Sequence, residues 1–459
     1  MSRLEKVPQR AATVAGRLGG RGRERRLRER LLRLHPPAAD PRTVTVVILT
    51  RDGRDRLARL LPALRRTLRM GVEVLVVDNG SDRPTRRFLA AQPDIEVLWA
   101  PDNRSFSAAN NLAAERAKGD VLCLLNDDIQ PIGPRWLERM VAALTDGVTV
   151  VGAQLVYPRL PLLAGSRRDL TVQHRGIAFV PVLGGIPRAV NLKGGQAVVD
   201  GRAPEVAAVA GACLAVERRV YRDLGGLDEG YVYGAEDVDL CWRARRAGGR
   251  VAVVHDAVLL HHEGATRHTD DPAERRRRQA ANWQRFATRH GEDVVRAVTV
   301  DRLTARAALS RVRYRAAVIA APGARPQVAA EALRQAVAPL GWDLRDGTVA
   351  SGRTAAPGGE APEGGARGGR FVPGDVDLVM VVGEGLEPGG LRQPGRALGL
   401  WLPDGGGGLG PAADRWDVVV TARDPGVALA GARDALVAGL DASDTSDASD
   451  RKTGGRLRT

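Results

Sequence analysis

The chain of 459 residues is poor in aromatic side chains and in cysteine. Phe, Trp and Tyr make up only 4% of it, whereas a sheet that binds nucleic acid presents aromatic residues interleaved with basic ones. The three cysteines, Cys123, Cys213 and Cys241, are odd in number and form no C-x-x-C pair. Neither a disulfide framework nor a zinc site is therefore indicated, and a reducing compartment fits best.

Long apolar runs are also missing from the sequence. No stretch reaches the ~18 apolar residues of a membrane span. The N-terminal charges are not followed by the apolar segment of a secretory signal. We therefore expect a cytoplasmic protein.

Basic residues exceed acidic ones by 69 to 54, which gives a formal net charge of +15 and favours anionic partners. Many of them lie in residues 1–42. The segment Arg21 to Leu34 has the pattern of a helix, with Leu27, Leu31 and Leu34 on one side and arginines around them. Such a segment can lie on anionic lipid or RNA, or it can be a solvated lead-in to the fold. The first alternative predicts a peripheral location on the inner face of the cell membrane.

From Thr43 onward, strand and helix patterns alternate. The run Val44 to Thr50 has the β-branched composition of a strand that is buried on both faces. The next strand ends on Asp78-Asn79-Gly80-Ser81, and the strand Val121 to Leu125 ends on Asn126-Asp127-Asp128. Ligands of open α/β sheets bind at the carboxyl ends of the strands. Thr50, Asp78, Asn79, Ser81 and the acidic cluster after Leu125 are therefore candidates for a ligand site.

A second acidic cluster, Glu236-Asp237-Val238-Asp239, begins a predicted helix, and His261 ends the strand that follows it. Oxygen ligands suit Mg²⁺ or Mn²⁺, and imidazole suits manganese. Two acidic clusters and a histidine thus predict a divalent-metal site for a diphosphate, with one carboxylate left to act as a base. The alternative interpretation is helix capping by the acids and a structural role for the histidine.

Two asparagines complete the candidate set. Asn103 and Asn110 flank the start of the predicted helix from Ser107 to Ala117 and can contact a donor molecule. Capping explains Asn103 almost as well.

These motifs, in this order, resemble those of the family 2 inverting glycosyltransferases over about residues 43–290. The motifs that carry the resemblance are Val46 to Thr50, Val77 to Ser81, Asn103 to Asn111, Leu125 to Asp128, Gly225 to Glu229, Glu236 to Leu240, and His261. Within that family, the chain is most similar to the rhamnosyltransferase-like and galactofuranosyltransferase-like enzymes of bacterial surface polysaccharides.

The resemblance implies an α/β fold of the GT-A type that binds a nucleotide-diphospho-sugar. It implies that Asp78 contacts the nucleobase and that Asp128 and His261 bind Mg²⁺ or Mn²⁺. It also implies that Asp237 is the base, with Glu236 beside it, and that Asn126 and Asp127 join the donor site. The reaction would be one in-line displacement with inversion, onto a hydroxyl of a cell-surface polysaccharide or of a lipid-linked glycan.

The domain prediction has four parts. A basic segment (1–42) precedes a glycosyltransferase domain (43–300), a small Rossmann-like α/β domain (311–435) with a flexible insertion (351–370), and a disordered tail (436–459). The small domain shows no recognisable acid, base or phosphate loop. We therefore expect it to support assembly or acceptor presentation.

Two other classes of protein are alternatives. A sugar-phosphate nucleotidyltransferase needs a Gly-rich, Arg-bearing loop directly after its first strand, but the string Gly19 to Arg23 precedes that strand. A non-catalytic protein that binds nucleotide-sugars or nucleic acid is the second alternative. The retention of Asp128, Asp237 and His261 argues against it, and we expect no nucleic-acid partner.

Overall fold

The computed structural model describes residues 22–311, with the exception of Met70, Asp146, 159–169, 183–184, Tyr233, 263–270 and Ala305. Residues 312–314 are also excepted, and beyond them it describes five short strands and a few helical positions between 430 and 438. The chain divides into two compact units. The first comprises Met1–Ala178 and Ala189–His290, and the second comprises Phe179–Arg188 and Gly291–Thr459.

The described part of the first unit starts with a helix, α1 (22–32), and then alternates strands and helices. The elements that follow α1 in chain order are β1 (Val44–Thr50), α2 (Arg54–Thr67), β2 (Glu73–Asn79), α3 (Arg83–Ala90), β3 (Glu96–Ala100), α4 (Phe106–Arg116), β4 (Val121–Asn126), β5 (Ile129–Pro131), α5 (Trp136–Ala142), β6 (Val148–Val156), β7 (Val172–His174), β8 (Ile177–Val182), β9 (Gly185–Asn191), β10 (Cys213–Glu217), α6 (Arg218–Asp223), α7 (Glu236–Arg246), β11 (Arg250–His261) and α8 (Pro272–Leu303). The boundary between the two units falls within α8, and residues of both units occur in β8 and β9.

Nine strands form one mixed sheet, in the order β3-β2-β1-β4-β10-β6-β11-β5, with β7 paired to β6. Strand β1 is parallel to both β2 and β4, whereas β10 is antiparallel to β4 and β6. The inner strands are apolar on both faces, since helices cover them. The predicted α/β class is therefore confirmed. The apolar composition of Val206 to Val216 predicts one strand, but the observed strand is shorter. Only β10 is regular, and isolated bridges precede it at Glu205 and Ala208.

Helix α1 is part of this unit, because its leucines are buried. Leu27 and Leu31 are 7% and 3% exposed and pack with Ile132 in an apolar cluster, while Leu32 is 66% exposed. The guanidinium of Arg28 donates to the carbonyl of Ile132 at 3.1 Å. Their burial leaves the side chains of Leu27 and Leu31 unavailable to lipid or RNA. Binding of the arginines to an anionic membrane stays a prediction.

None of the helices in the described part of the chain is both long and apolar enough to cross a membrane.

The second unit contains a parallel sheet of five strands. The strands are β12 (Arg315–Ala320), β13 (Asp343–Asp346), β14 (Leu378–Val382), β15 (Ala397–Trp401) and β16 (Val418–Val420), in the order β13-β12-β14-β15-β16. Short apolar runs in the sequence predict four of these strands, over Arg313 to Ala320, Val376 to Val382, Ala397 to Leu402 and Trp416 to Thr421, and no such run predicts β13. Residues 436–438 of the predicted tail are helical. The predicted helix Gln327 to Ala338, the insertion 351–370 and residues 439–459 lie outside the described residues.

Candidate active site

Three strands of the first unit end at the same edge of the sheet. In the parallel register, Thr50 of β1 lies beside Asp78 of β2, and Leu49 lies beside Asn126 of β4. The polar residues that follow β1, β2 and β4 therefore meet, as the sequence predicted. Hydrogen bonds decide which of their polar groups remain available to a ligand.

Asp127 is held inside the protein. One carboxylate oxygen accepts from the hydroxyl of Thr50 at 2.6 Å, and the other accepts from Nε of Arg56 at 2.9 Å. Burial raises the pKa of Asp127, and the Arg56 guanidinium opposes that shift. Gly53 leaves room for this arrangement, because a Cβ there would lie 2.1 Å from Thr50 Oγ1 and 2.4 Å from Asp127 Oδ2. Thr50 and Asp127 therefore bind each other and shape the edge of the site from within.

Asp128 is the partner of His261. Strand β11 is antiparallel to β5, with His261 opposite Ile129, and this pairing brings the imidazole Nε2 to 3.4 Å from Asp128 Oδ1. That carboxylate oxygen is buried and has no hydrogen-bond partner. On its other side, His261 Nδ1 lies 2.8 Å from Oε1 of Gln173.

This donor set fits a divalent cation. A buried carboxylate oxygen without a partner and an imidazole nitrogen face each other, and both are suitable ligands for Mn²⁺. The described residues contain no group of three or more His, Cys, Asp or Glu side chains arranged around an ion. A cation bound here would therefore take its remaining ligands from a diphosphate and from water.

Glu236 and Asp237 begin α7, and both carboxylates are held by backbone N–H groups. Glu236 Oε2 accepts from Gly234 N at 2.7 Å. Asp237 Oδ2 accepts from Gly211 N at 2.8 Å, and its Oδ1 accepts from Val238 N at 2.8 Å. These bonds fix the Asp237 carboxylate at the start of α7.

The backbone of residues 210–212 joins the two acidic clusters. Ala212 O accepts from Asn126 N at 2.9 Å, two residues before Asp128, and the preceding Gly211 N donates to Asp237. Two backbone hydrogen bonds therefore fix Asp237 relative to the end of β4. Asn126 contributes its backbone amide to this connection.

Asp78 is 1% exposed, and its Oδ2 has no hydrogen-bond partner. Nε of Arg86 lies 3.5 Å from that oxygen, and the Arg86 guanidinium also lies over the Trp99 ring, 5.1 Å from its centre. The other oxygen, Oδ1, accepts from Ser81 N at 3.3 Å. One buried carboxylate oxygen is thus available to a hydrogen-bond donor of a ligand. The Ser81 hydroxyl, which was predicted to contact the donor, accepts from Asp52 N at 3.0 Å.

The predicted asparagines serve the protein's own loops. Asn79 Nδ2 donates to Arg104 O at 2.9 Å and to Asn103 Oδ1 at 3.2 Å, and Arg104 N returns a bond to Asn79 Oδ1 at 2.9 Å. Asn110 Nδ2 donates to Phe106 O within α4 at 2.8 Å. The Asn79 amide thereby fastens the loop before α4 to the end of β2.

Asp239, the third acid of its cluster, has a structural role. It is 0% exposed and accepts from Arg243 Nε at 2.7 Å and from Tyr231 OH at 3.2 Å, with His290 Nε2 at 2.8 Å. This network anchors α7 to the loop before it and to α8.

Sequence reasoning missed Arg56, Gln173 and His174. Burial lowers the pKa of the His174 imidazole to about 4. Arg56 lies on α2 and reaches across to Asp127, while Gln173 and His174 lie in a Gly/Pro-rich region with weak periodicity. Only long-range contacts identify these three residues, and a single sequence does not contain that information.

Residues 45–223 match the model of the family Glycosyl transferase family 2. This match and the mixed sheet agree with the expected GT-A class.

The chain is similar to several curated proteins, of which three are described here. The chain is 30% identical to the O-antigen biosynthesis protein RfbC of Myxococcus xanthus over 52% of its own length and 19% of that protein. It is 32% identical to the pre-mycofactocin glycosyltransferase of Mycobacterium tuberculosis over 50% of its length and 45% of that protein. It is 26% identical to the N-acetylglucosaminyl-diphospho-decaprenol L-rhamnosyltransferase of the same species, over 53% of its length and 84% of that protein.

The chain spans less than half the length of the curated relatives that are at least 30% identical to it. Among solved structures, a mannosyltransferase of Pyrobaculum calidifontis in complex with GDP-Man and Mn²⁺ is 20% identical. It covers 61% of this chain and 74% of its own, with a TM-score of 0.39.

Proposed function

We propose that this protein is a metal-dependent, inverting glycosyltransferase. It would transfer a sugar from a nucleotide-diphospho-sugar to a hydroxyl of a polysaccharide or lipid-linked glycan. One observation carries the proposal. A buried Asp128 oxygen without a hydrogen-bond partner faces His261 at the sheet edge where Asp78 also lies, and backbone bonds tie Asp237 to that edge.

Asp128 and His261 are the proposed ligands of Mg²⁺ or Mn²⁺. When bound, the ion neutralises the negative charge that builds on the departing nucleoside diphosphate. Asp127 is the weaker candidate ligand, because the Arg56 guanidinium already compensates its charge and Thr50 also donates to it. Its proposed contribution to the donor site is to hold the loops after β1 and β4 together.

Asp237 is the proposed base. Its carboxylate would accept the proton of the acceptor hydroxyl while that oxygen attacks the anomeric carbon opposite the leaving diphosphate. General-base catalysis of this kind contributes roughly 10²- to 10⁴-fold. The bonds from Gly211 N and Val238 N fix the carboxylate before substrate arrives, which avoids reorganisation during the reaction. Glu236, anchored to Gly234 N, is the neighbouring alternative.

Asp78 is the proposed nucleobase contact, because a buried carboxylate oxygen without a hydrogen bond is stabilised by an N–H of a base. The names of the relatives support the acceptor class. Two of them act in O-antigen biosynthesis and on an N-acetylglucosaminyl-diphospho-decaprenol acceptor, and a third is named for pre-mycofactocin. A lipid-linked acceptor would bring the protein to the inner membrane surface.

The test is a panel of nucleotide-sugars, each measured for thermal stabilisation of the full chain with and without Mn²⁺. A ligand at 100 times its dissociation constant stabilises the native state by about 2.7 kcal/mol. We expect one donor class to stabilise the wild type only with Mn²⁺, and Asp128→Asn to lose that stabilisation.

Asp94→Asn is the matched control, since Asp94 is an exposed carboxylate paired with Arg65. It should respond to the donor as the wild type does. An Asp128→Asn variant with unchanged Mn²⁺-dependent stabilisation would contradict the assignment of the metal site.

A further inference from the structure

Gln173 lies in the middle of β7, a strand of three residues on the border of the main sheet. It is 4% exposed, and its side-chain oxygen Oε1 lies 2.8 Å from His261 Nδ1. A glutamine amide has an acceptor and a donor end. The end that faces the imidazole decides which ring nitrogen carries the proton, and therefore whether Nε2 offers Asp128 a proton or a lone pair.

The geometry at Asp128 distinguishes the two cases. An Nε2–H aimed at a carboxylate forms a hydrogen bond of about 2.7–2.9 Å. Here Nε2 and Asp128 Oδ1 are 3.4 Å apart, and that oxygen has no hydrogen-bond partner. The separation fits an Nε2 without a proton, with Nδ1–H donating to Gln173 Oε1.

Hydrogen bonds fix the backbone of Gln173 and the side chain of its neighbour His174. Asn191 Nδ2 donates to Gln173 O at 3.0 Å, which leaves Asn191 Oδ1 to accept from His174 Nδ1 at 2.7 Å. His174 Nε2 in turn accepts from Gly176 N at 3.2 Å and from Ala210 N at 3.1 Å. The neighbouring imidazole is thus fixed in one tautomer by three hydrogen bonds, and Gln173 projects from a rigid strand.

We propose that Gln173 is a positioning residue that holds His261 in the Nδ1–H tautomer and so presents the Nε2 lone pair beside Asp128 as a metal ligand. The metal part of this inference rests on the proposed function, whereas the tautomer does not. Groups that accept a hydrogen bond from a ligating histidine typically change metal affinity by 10- to 100-fold when they are removed.

Two substitutions distinguish the hydrogen bond that Gln173 accepts from His261 from the packing of its side chain. Gln173→Glu keeps the shape and can only accept, so it should preserve the tautomer and the metal affinity. Gln173→Met keeps most of the volume and cannot accept, so Mn²⁺ affinity should fall by roughly 10- to 100-fold.

Gln154→Met is the matched control. Gln154 is a 0% exposed glutamine on the adjacent strand β6, and its amide binds the backbone of Val198 and His255. Its loss should lower stability but leave the Mn²⁺ affinity of the folded protein unchanged.

Two measurements on the full chain are needed. Long-range ¹H–¹⁵N correlation spectra of protein labelled with ¹⁵N-histidine report the tautomer, and the signal of His261 among the seven histidines is assigned by its absence in His261→Gln. Electron paramagnetic resonance of Mn²⁺, titrated in the presence of UDP and separately of GDP, reports metal affinity without relying on turnover.

The expected result is an Nδ1–H signal for His261 in the wild type and in Gln173→Glu, lost in Gln173→Met together with Mn²⁺ affinity. A wild-type His261 that carries its proton on Nε2 would overturn the inference, even if Gln173→Met proved unable to fold. So would a Gln173→Met protein with wild-type Mn²⁺ affinity. If the tautomer depends on Gln173 but Asp128→Asn binds Mn²⁺ and nucleotide normally, the positioning of His261 stands and the proposed metal site fails.

Discussion

Replacing Leu31 by alanine tests whether α1 is an integral part of the first unit. Leu31 is 3% exposed and belongs to an apolar cluster with Ile132, whereas its neighbour Leu32 is 66% exposed. Truncation of a buried leucine costs about 2–5 kcal/mol, and a surface substitution costs about 0.5 kcal/mol or less. Both changes exchange leucine for alanine in the same helix, so helix propensity is matched.

The assay is thermal denaturation of Leu31→Ala and Leu32→Ala. For a unit of this size, each 1 kcal/mol corresponds to about 2–4 °C in Tm. Leu31→Ala should therefore lower Tm by about 4 °C or more, and Leu32→Ala by very little. Equal effects of the two substitutions would refute the burial of α1 in solution.

Gly133 provides an independent check on the same contact. A Cβ at Gly133 would lie 2.8 Å from Leu31 Cδ1 and 2.9 Å from Leu31 Cβ. Gly133→Ala should cost about 1–3 kcal/mol in the wild type through overpacking, and clearly less when Leu31 is already alanine. Coupling between residues in contact is roughly 0.5–3 kcal/mol. Additive effects of the two substitutions would show that the side chains do not meet.

Three further outcomes are expected. The pKa of His174 is lowered from 6.5 in the unfolded chain to about 4 in the folded protein. The free energy of unfolding should therefore be highest above pH 6.5 and fall by roughly 3 kcal/mol as the pH drops toward 4, because the unfolded chain takes up the proton first. An unfolding free energy with the same pH slope in His174→Gln would contradict this. Asp237→Asn should reduce turnover by roughly 10²- to 10⁴-fold with nucleotide affinity nearly unchanged, and near-normal turnover would transfer the role of base to another group. Gly53→Ala should cost about 1–3 kcal/mol, because its Cβ meets Thr50 and Asp127 within 2.4 Å; an unchanged Tm would refute that crowding.

The parallel part of the sheet was readable from the sequence because its signals are local. Strand β1 is a run of β-branched residues buried on both faces, and polar residues follow β2 and β4 directly. Parallel pairing then places those strand ends at one edge without further information. The helix that carries Asp237 was also predictable, because its acids precede an apolar period.

The sequence does not show which polar side chains bind each other inside the protein. Asp127 looks as available as Asp128 in the sequence, but Arg56, 71 positions earlier, occupies it. Gln173 lies in a strand too short to show a period of two, and its partner His261 is 88 positions away. The leucines of α1 read as an amphipathic surface helix because their partners lie more than a hundred residues further along. Such contacts depend on the folded arrangement of the chain.

The guanidinium of Arg56 compensates the charge of Asp127. Of the adjacent aspartates Asp127 and Asp128, only Asp128 therefore presents an uncompensated negative charge. In the proposed site, a divalent ion that met only Asp128 and a neutral imidazole would keep a net positive charge and much of its hydration. Oxygens of the diphosphate would supply the missing charge, and so ion and nucleotide would raise each other's affinity by the same factor.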